Sequence, residues 1–204
     1  PEGPPWFVDV TASSGIDFVH CSGDSAEKPF PSANGSGLAV LDYDLDGLQD
    51  VVLVTGVPIP IDPQASPEGN RCFRNRGHLR FDDVTATCGI RHGGYVHGAA
   101  AGDVDADGFP DLFLTGLGGD VLFLNLGDGT FRAAGPEAGL DDGGWSSSAA
   151  FLDADRDGLL DLYVCRYGRW SLETNARCGD RESGRRVFCS PLTVPGGGTS
   201  GAIT

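Results

Sequence analysis

Asp42-Tyr43-Asp44-Leu45-Asp46-Gly47-Leu48-Gln49-Asp50 recurs as Asp103-Val104-Asp105-Ala106-Asp107-Gly108-Phe109-Pro110-Asp111 and as Asp153-Ala154-Asp155-Arg156-Asp157-Gly158-Leu159-Leu160-Asp161. All three copies read D-x-D-x-D-G-x-x-D. Each follows a small, apolar run (37–41, 98–102, 148–152) and precedes a β-rich one (51–55, 112–115, 162–165), so each reads as a loop joining two strands. A second hairpin recurs between the acidic loops. Cys72-Phe73-Arg74-Asn75-Arg76-Gly77 leads into 79–85, and Leu122-Phe123-Leu124-Asn125-Leu126-Gly127-Asp128-Gly129 leads into 130–133, the Gly-Asp-Gly turn being a strong hairpin signature. Two hairpins per repeat predict a four-stranded antiparallel unit of roughly 40 to 50 residues, the size of a propeller blade.

The expected fold is therefore all-β, a β-propeller or partial propeller of four-stranded blades with calcium-binding hairpin loops. It forms one domain over residues 1–204, with repeats around 34–56, 97–116 and 147–166 and a Cys-bracketed loop and Gly-rich tail at 167–204. The second and third acidic loops start 50 residues apart and the first and second 61, the Pro-rich stretch 57–68 supplying the excess as a surface loop. Blade number stays open, because three acidic loops are fewer than the blades of a closed propeller. Phe7-Val8-Asp9-Val10-Thr11 matches Phe81-Asp82-Asp83-Val84-Thr85 but has no hairpin partner before it, and no Phe-x-Asn-x-Gly hairpin follows Asp161. The chain is thus expected to begin with an unpartnered closing strand and to end wanting one.

Four carboxylates in nine residues suit Ca²⁺, which takes six to eight hard oxygen ligands. The acids at positions 1, 3, 5 and 9 of each loop are the expected ligands: Asp42, Asp44, Asp46 and Asp50; Asp103, Asp105, Asp107 and Asp111; Asp153, Asp155, Asp157 and Asp161. Gly at position 6 permits the turn that lets them converge. By analogy with the EF-hand loop, the carbonyl of position 7 (Leu48, Phe109, Leu159) joins them. The loops are not EF-hands, since position 12 carries no Glu and the flanks are strand-like. Mg²⁺ suits them less, because it holds its waters in a small octahedral shell. Three Ca²⁺ ions are expected, and without them the repulsion within each loop opposes folding.

Composition agrees. Asp and Glu outnumber Lys and Arg by 29 to 14, giving a formal charge of -15 and arguing against nucleic acid or an anionic membrane as a partner. Twelve of the 29 acids sit in the three motifs, so the acidity reads as ligand supply rather than as a solvating tail. No apolar run approaches the ~20 residues of a membrane span. The start at Pro1 reads as a mature or trimmed product. Six cysteines without a CxxC pair favour disulfides in an oxidising, extracellular setting over zinc or thiol redox chemistry. Cys178 and Cys189 bracket a polar loop and are the expected pair; spacing leaves the partners of Cys21, Cys72, Cys88 and Cys165 open. Asn34-Gly35-Ser36 is a possible glycosylation sequon.

The loops and the Phe-x-Asn hairpins resemble the FG-GAP/VCBS repeat of integrin α-subunits and bacterial secreted proteins. Leu160-Asp161-Leu162-Tyr163-Val164, Trp170-Ser171-Leu172-Glu173, Cys178-Gly179-Asp180 and Phe188-Cys189-Ser190-Pro191 resemble in particular the cartilage acidic protein (ASPIC/UnbV-like) branch. The resemblance spans residues 7–191 and implies a propeller with calcium in its blade hairpins and a role in extracellular binding or adhesion.

No catalytic motif is found: there is no G-x-S-x-G, H-E-x-x-H, phosphate loop or dinucleotide fingerprint, and His20, His78, His92 and His97 are isolated. Trp6, Trp145 and Trp170 read as packing residues before sugar-stacking ones. The leading expectation is a non-enzymatic, calcium-stabilised, secreted or cell-surface module that binds an extracellular protein or glycan. The alternatives are a fibre or surface-layer subunit whose copies join head-to-tail by strand exchange through 7–11, and a hydrolase or lyase carried on a propeller.

Overall fold

The computed structural model describes residues 6–62, 69–134, 138–140, 143–180, 182–194 and 201–203. Parts of three expected features lie outside the described residues: 63–68 of the Pro-rich insert, Arg181 of the Cys-bracketed loop and 196–200 of the Gly-rich tail.

The architecture is antiparallel β, as the repeat predicts. β1 (Leu38–Leu41), β2 (Asp50–Leu53), β3 (Arg71–Asn75) and β4 (Phe81–Asp83) form a meander in which each strand pairs with the next. β5 (Tyr95–Gly102), β6 (Asp111–Leu117), β7 (Val121–Asn125) and β8 (Phe131–Ala133) repeat it. Registers coincide at an offset of 50 residues: Phe73 faces Asp83 and Phe123 faces Ala133. β9 (Trp145–Leu152) and β10 (Asp161–Gly168) open the third unit.

The sheets stack face to face because alternate side chains of a strand point to opposite faces. Leu112 and Leu114 of β6 join Ala39, Leu41, Val52 and Val54 in one core between the first and second blades, while Phe113 packs with Leu162 and Val164 of the third. A strand covered on both faces must be apolar throughout, and β6 is buried along nearly its whole length. The first strands of the blades lie side by side. A Cβ on Gly98 of β5 would sit 2.9 Å from the Ser147 carbonyl of β9 and 2.8 Å from Thr115 Oγ1, so the approach of these strands requires glycine there. At the other end of β5, the ring of Phe151 of β9 crowds Gly102. β5 and β9 therefore run parallel, and the acidic loops that follow them emerge at the same end.

Two features depart from expectation. The predicted strand through Thr85 stops at Asp83 and becomes a one-turn helix, α2 (Thr85–Cys88), closed by Gly89 at φ 86°. Thr85 N–H is captured by Asp83 Oδ1 at 2.9 Å, an Asx turn that diverts the chain out of the sheet. Residues 7–15 repeat this unit, with Thr11 N–H on Asp9 Oδ1 at 2.9 Å, helix α1 (Thr11–Ser14) and Gly15 at φ 85°. A Cβ on Gly15 would meet the Phe81 carbonyl as one on Gly89 would meet that of Phe131. Residues 7–15 thus stand to the first blade as 81–89 stand to the second, but residues 7–10 form no strand and 7–9 lie exposed.

Second, the third blade does not lack its third strand. β13 (Gly201–Ile203) pairs antiparallel with β10, Leu162 opposite Ile203, in the place that β7 takes beside β6. An open strand edge accepts any extended backbone, so this pairing needs no side-chain pattern in the tail.

A short hairpin, β11 (Cys178–Gly179) and β12 (Arg186–Val187), lies within the Cys178–Cys189 disulfide. Its surroundings return to the chain before the first blade. Asn175 Oδ1 accepts Phe30 N–H at 3.2 Å, Arg186 pairs with Glu27, and Lys28 Nζ lies 5.2 Å over the Phe188 ring. Beneath, Trp145 stacks on Tyr167 at 4.5 Å and meets Phe30 edge-on, so this tryptophan is a packing residue, as expected.

Candidate metal centres

Each acidic loop joins the first strand of a blade to its second and is shaped by its own carboxylates. The position-1 aspartate closes the turn: Asp42 accepts the N–H groups of Asp46 (3.0 Å) and Gly47 (2.9 Å). Asp103 does the same for Asp107 and Gly108, and Asp153 for Asp157 and Gly158. Position 5 caps the next step, with Asp46, Asp107 and Asp157 accepting the N–H of Leu48, Phe109 and Leu159. The conserved shape requires left-handed backbone at two places in each loop. Gly47, Gly108 and Gly158 have φ of 85°, 96° and 92°, and position 4 is also left-handed at Leu45 (55°), Ala106 (58°) and Arg156 (68°). The glycines were legible in the motif. Position 4 was not, because its side chains differ and all carry a Cβ penalty there.

Position 9 is the first residue of the following strand and is built into the blade. Asp50 accepts Tyr43 N–H at 3.2 Å and Asn75 N–H at 2.7 Å; Asp111 accepts Val104 N–H and Asn125 N–H, both at 2.8 Å. The asparagine of each Phe-x-Asn hairpin thereby holds the last carboxylate of the acidic loop before it, a role the sequence reading did not assign. In the third loop Asp161 accepts Ala154 N–H at 2.8 Å and is only half-buried. Burial pushes the Asp50 carboxyl up to about 6, against the pull of its two N–H partners; Asp44 and Asp46 push further in the same direction. Burial likewise raises Asp111.

The structure brings together positions 1, 3 and 9 in all three loops: Asp42, Asp44 and Asp50; Asp103, Asp105 and Asp111; Asp153, Asp155 and Asp161. One carboxylate oxygen from each lies within 4.8 Å of the others. That spacing fits a common Ca²⁺, since two oxygens each about 2.4 Å from one ion can be at most about 4.8 Å apart. The donors are hard carboxylate oxygens throughout, and Asp44 Oδ1 is buried with no hydrogen-bond partner. Asp46, Asp107 and Asp157 stand outside these trios. Leu48, Phe109 and Leu159 follow the turn at the expected place, and the ring of Phe109 packs on Gly127.

The first loop carries a feature of its own. Arg74, from β3, pairs with Asp44 and reaches Asp46 Oδ2 at 3.3 Å. The corresponding residue of the second blade is Leu124, which offers the second trio no guanidinium from that place.

Such a structure defines an antiparallel β-blade repeat protein with a carboxylate cluster in the first hairpin of every blade. The FG-GAP-like repeat family matches at residues 42–114 and again at 103–164, each match starting at the first aspartate of an acidic loop. These matches cover more than half of the 204 residues, and the chain belongs to the FG-GAP-like repeat family. No curated protein matches the chain. Among the described residues no helix is long and apolar enough to cross a membrane. The Cys178–Cys189 disulfide fits an oxidising, extracellular setting.

Proposed function

We propose that this chain is a secreted or cell-surface, non-enzymatic binding module in which three Ca²⁺ ions hold the acidic loops. The reading rests on the convergence of the same three carboxylates in every loop. Asp42, Asp44 and Asp50 and their counterparts would bind each ion, with the position-5 aspartates and the carbonyls of Leu48, Phe109 and Leu159 completing the protein's share. The ion would neutralise charges that otherwise repel at the edge of a packed blade, which links folding to calcium. The motifs around Trp170 and Cys178–Cys189 support membership of the cartilage acidic protein branch, and with it adhesion or capture of an extracellular protein or glycan. The half-buried Asn34 is a candidate glycan acceptor.

Calorimetric titration of the metal-free protein is expected to give three Ca²⁺ per chain, and melting is expected to fall sharply in EDTA. Chelation that alters neither melting nor secondary structure would sink the calcium reading.

Exposure of Trp6, Phe7 and Val8 (96, 92 and 70 %) favours a second reading, assembly of copies by strand addition at this segment. Light scattering distinguishes the two: calcium-dependent large particles that disappear when Phe7 and Val8 are replaced by Asp support assembly, and a monomer under all conditions excludes it.

A further inference from the structure

Cys72 and Cys88 are fully enclosed, at 0 and 1 % exposure, in the core between the first and second blades. Cys72 lies in β3, and both of its backbone groups are tied to the start of α2. Its N–H donates to Thr85 Oγ1 at 3.0 Å and its carbonyl accepts Val84 N–H at 2.9 Å. Cys88 follows Thr85 by one helical turn and lies in the same buried cluster as Cys72. Both stand as unbridged thiols in this structure, and Cys88 Sγ donates to the Thr85 carbonyl at 3.7 Å.

The internal repeat carries a second, independent observation. At the offset of 50 residues that aligns the second and fourth hairpins, Cys72 corresponds to Leu122 and Cys88 to Ala138. Both positions are cysteine in one blade and neither is in the other. The second blade has one long and one short apolar side chain at these places, both partly buried; the first has two mid-sized ones, both fully buried. Core packing alone demands no thiol at either position.

We propose that Cys72 and Cys88 form a second disulfide, which staples helix α2 to β3 of the first blade. The bond forms by exchange with a donor disulfide, of the glutathione or protein-dithiol class. One cysteine thiolate attacks a donor sulfur and releases one donor thiol; the other cysteine then loses its proton, attacks the mixed disulfide and releases the second. Two cysteine thiols are oxidised and one donor disulfide is reduced. Because both sulfurs are enclosed in the folded blade, exchange takes place before the core closes or when the single turn of α2 opens. The staple closes a loop around the β3–β4 hairpin, and closing a loop of this length shifts a folding equilibrium by on the order of 100-fold. It also fixes the strand whose Asn75 N–H holds Asp50.

The test is a thiol map of the full chain folded in an oxidised and reduced glutathione mixture, on material in which the Cys178–Cys189 peptide is already bridged. Alkylation in denaturant without reductant is expected to label only Cys21 and Cys165, and digestion to yield a Cys72–Cys88 peptide pair that separates on reduction. Cys72→Ala is expected to make Cys88 alkylatable; should that variant fail to fold, the map of the parent chain decides alone. Labelling of four cysteines while Cys178–Cys189 stays bridged overturns the proposal. So does a bridge from Cys72 or Cys88 to Cys21 or Cys165.

Discussion

Replacing Asp105 by Asn should change stability in opposite directions with and without calcium. Asp105 is the position-3 member of the second trio, is exposed, and accepts Asp107 N–H at 3.3 Å, a bond that an amide oxygen can also accept. Its removal therefore spares the fold, unlike loss of Asp111, which holds two strands. In the metal-free protein Asp105 has two carboxylate neighbours within 4.8 Å. Each repulsion is worth about 1 kcal/mol at the dielectric of water and less in salt. Relief of about 1 kcal/mol in total raises melting by about 2–4 °C for a chain of this size. With calcium at 100 times its dissociation constant, an intact site contributes about 2.7 kcal/mol. Losing most of it outweighs the relief, and melting falls by about 3–7 °C. Differential scanning calorimetry of parent and variant, in EDTA and in calcium, gives all four values. A change of the same sign under both conditions would refute the reasoning, because it would mean that Asp105 acts through the fold and not through a cation.

Asp50 should make metal-free stability depend on pH. Its carboxyl stands at about 6 in the folded blade against an ordinary value of 3.8, so the folded state binds the proton more tightly. Its contribution is complete below about pH 4 and is lost as pH rises through about 6. Melting in EDTA should therefore fall between pH 5 and 7 more steeply for the parent than for Asp50→Asn; parallel curves would exclude this carboxyl as the cause. Arg74 should weaken calcium binding at the first loop, since it already pairs with Asp44 and Asp46. A partly exposed pair of this kind is worth up to about 1 kcal/mol, so Arg74→Leu, the residue found at the matching place in the second blade, should tighten one of three sites by about 2- to 5-fold in calorimetry. Unchanged affinity would show that the guanidinium does not compete with the ion.

The sequence alone determined the blade and the acidic loop, because both are written in local chemistry. Strand alternation, the Gly-Asp-Gly turn and the D-x-D-x-D-G-x-x-D spacing each act within a few residues, and repetition removes their ambiguity. The Cys178–Cys189 pair was equally local, two cysteines closing a short polar loop. Tertiary structure alone decided what depends on neighbours far along the chain. Stacking of blades buried Asp50 and Asp111 while leaving Asp161 half-exposed, though the three loops read alike. Packing brought Arg74 onto an acidic loop that precedes it by about 30 residues, and gathered Cys72 and Cys88 into one buried cluster through a helical turn that the strand pattern concealed. The open edge of β10 took β13 as its partner from a glycine-rich tail with no alternation to read. Local turns are specified by the residues that make them; burial and long-range pairing are specified only when the sheets meet.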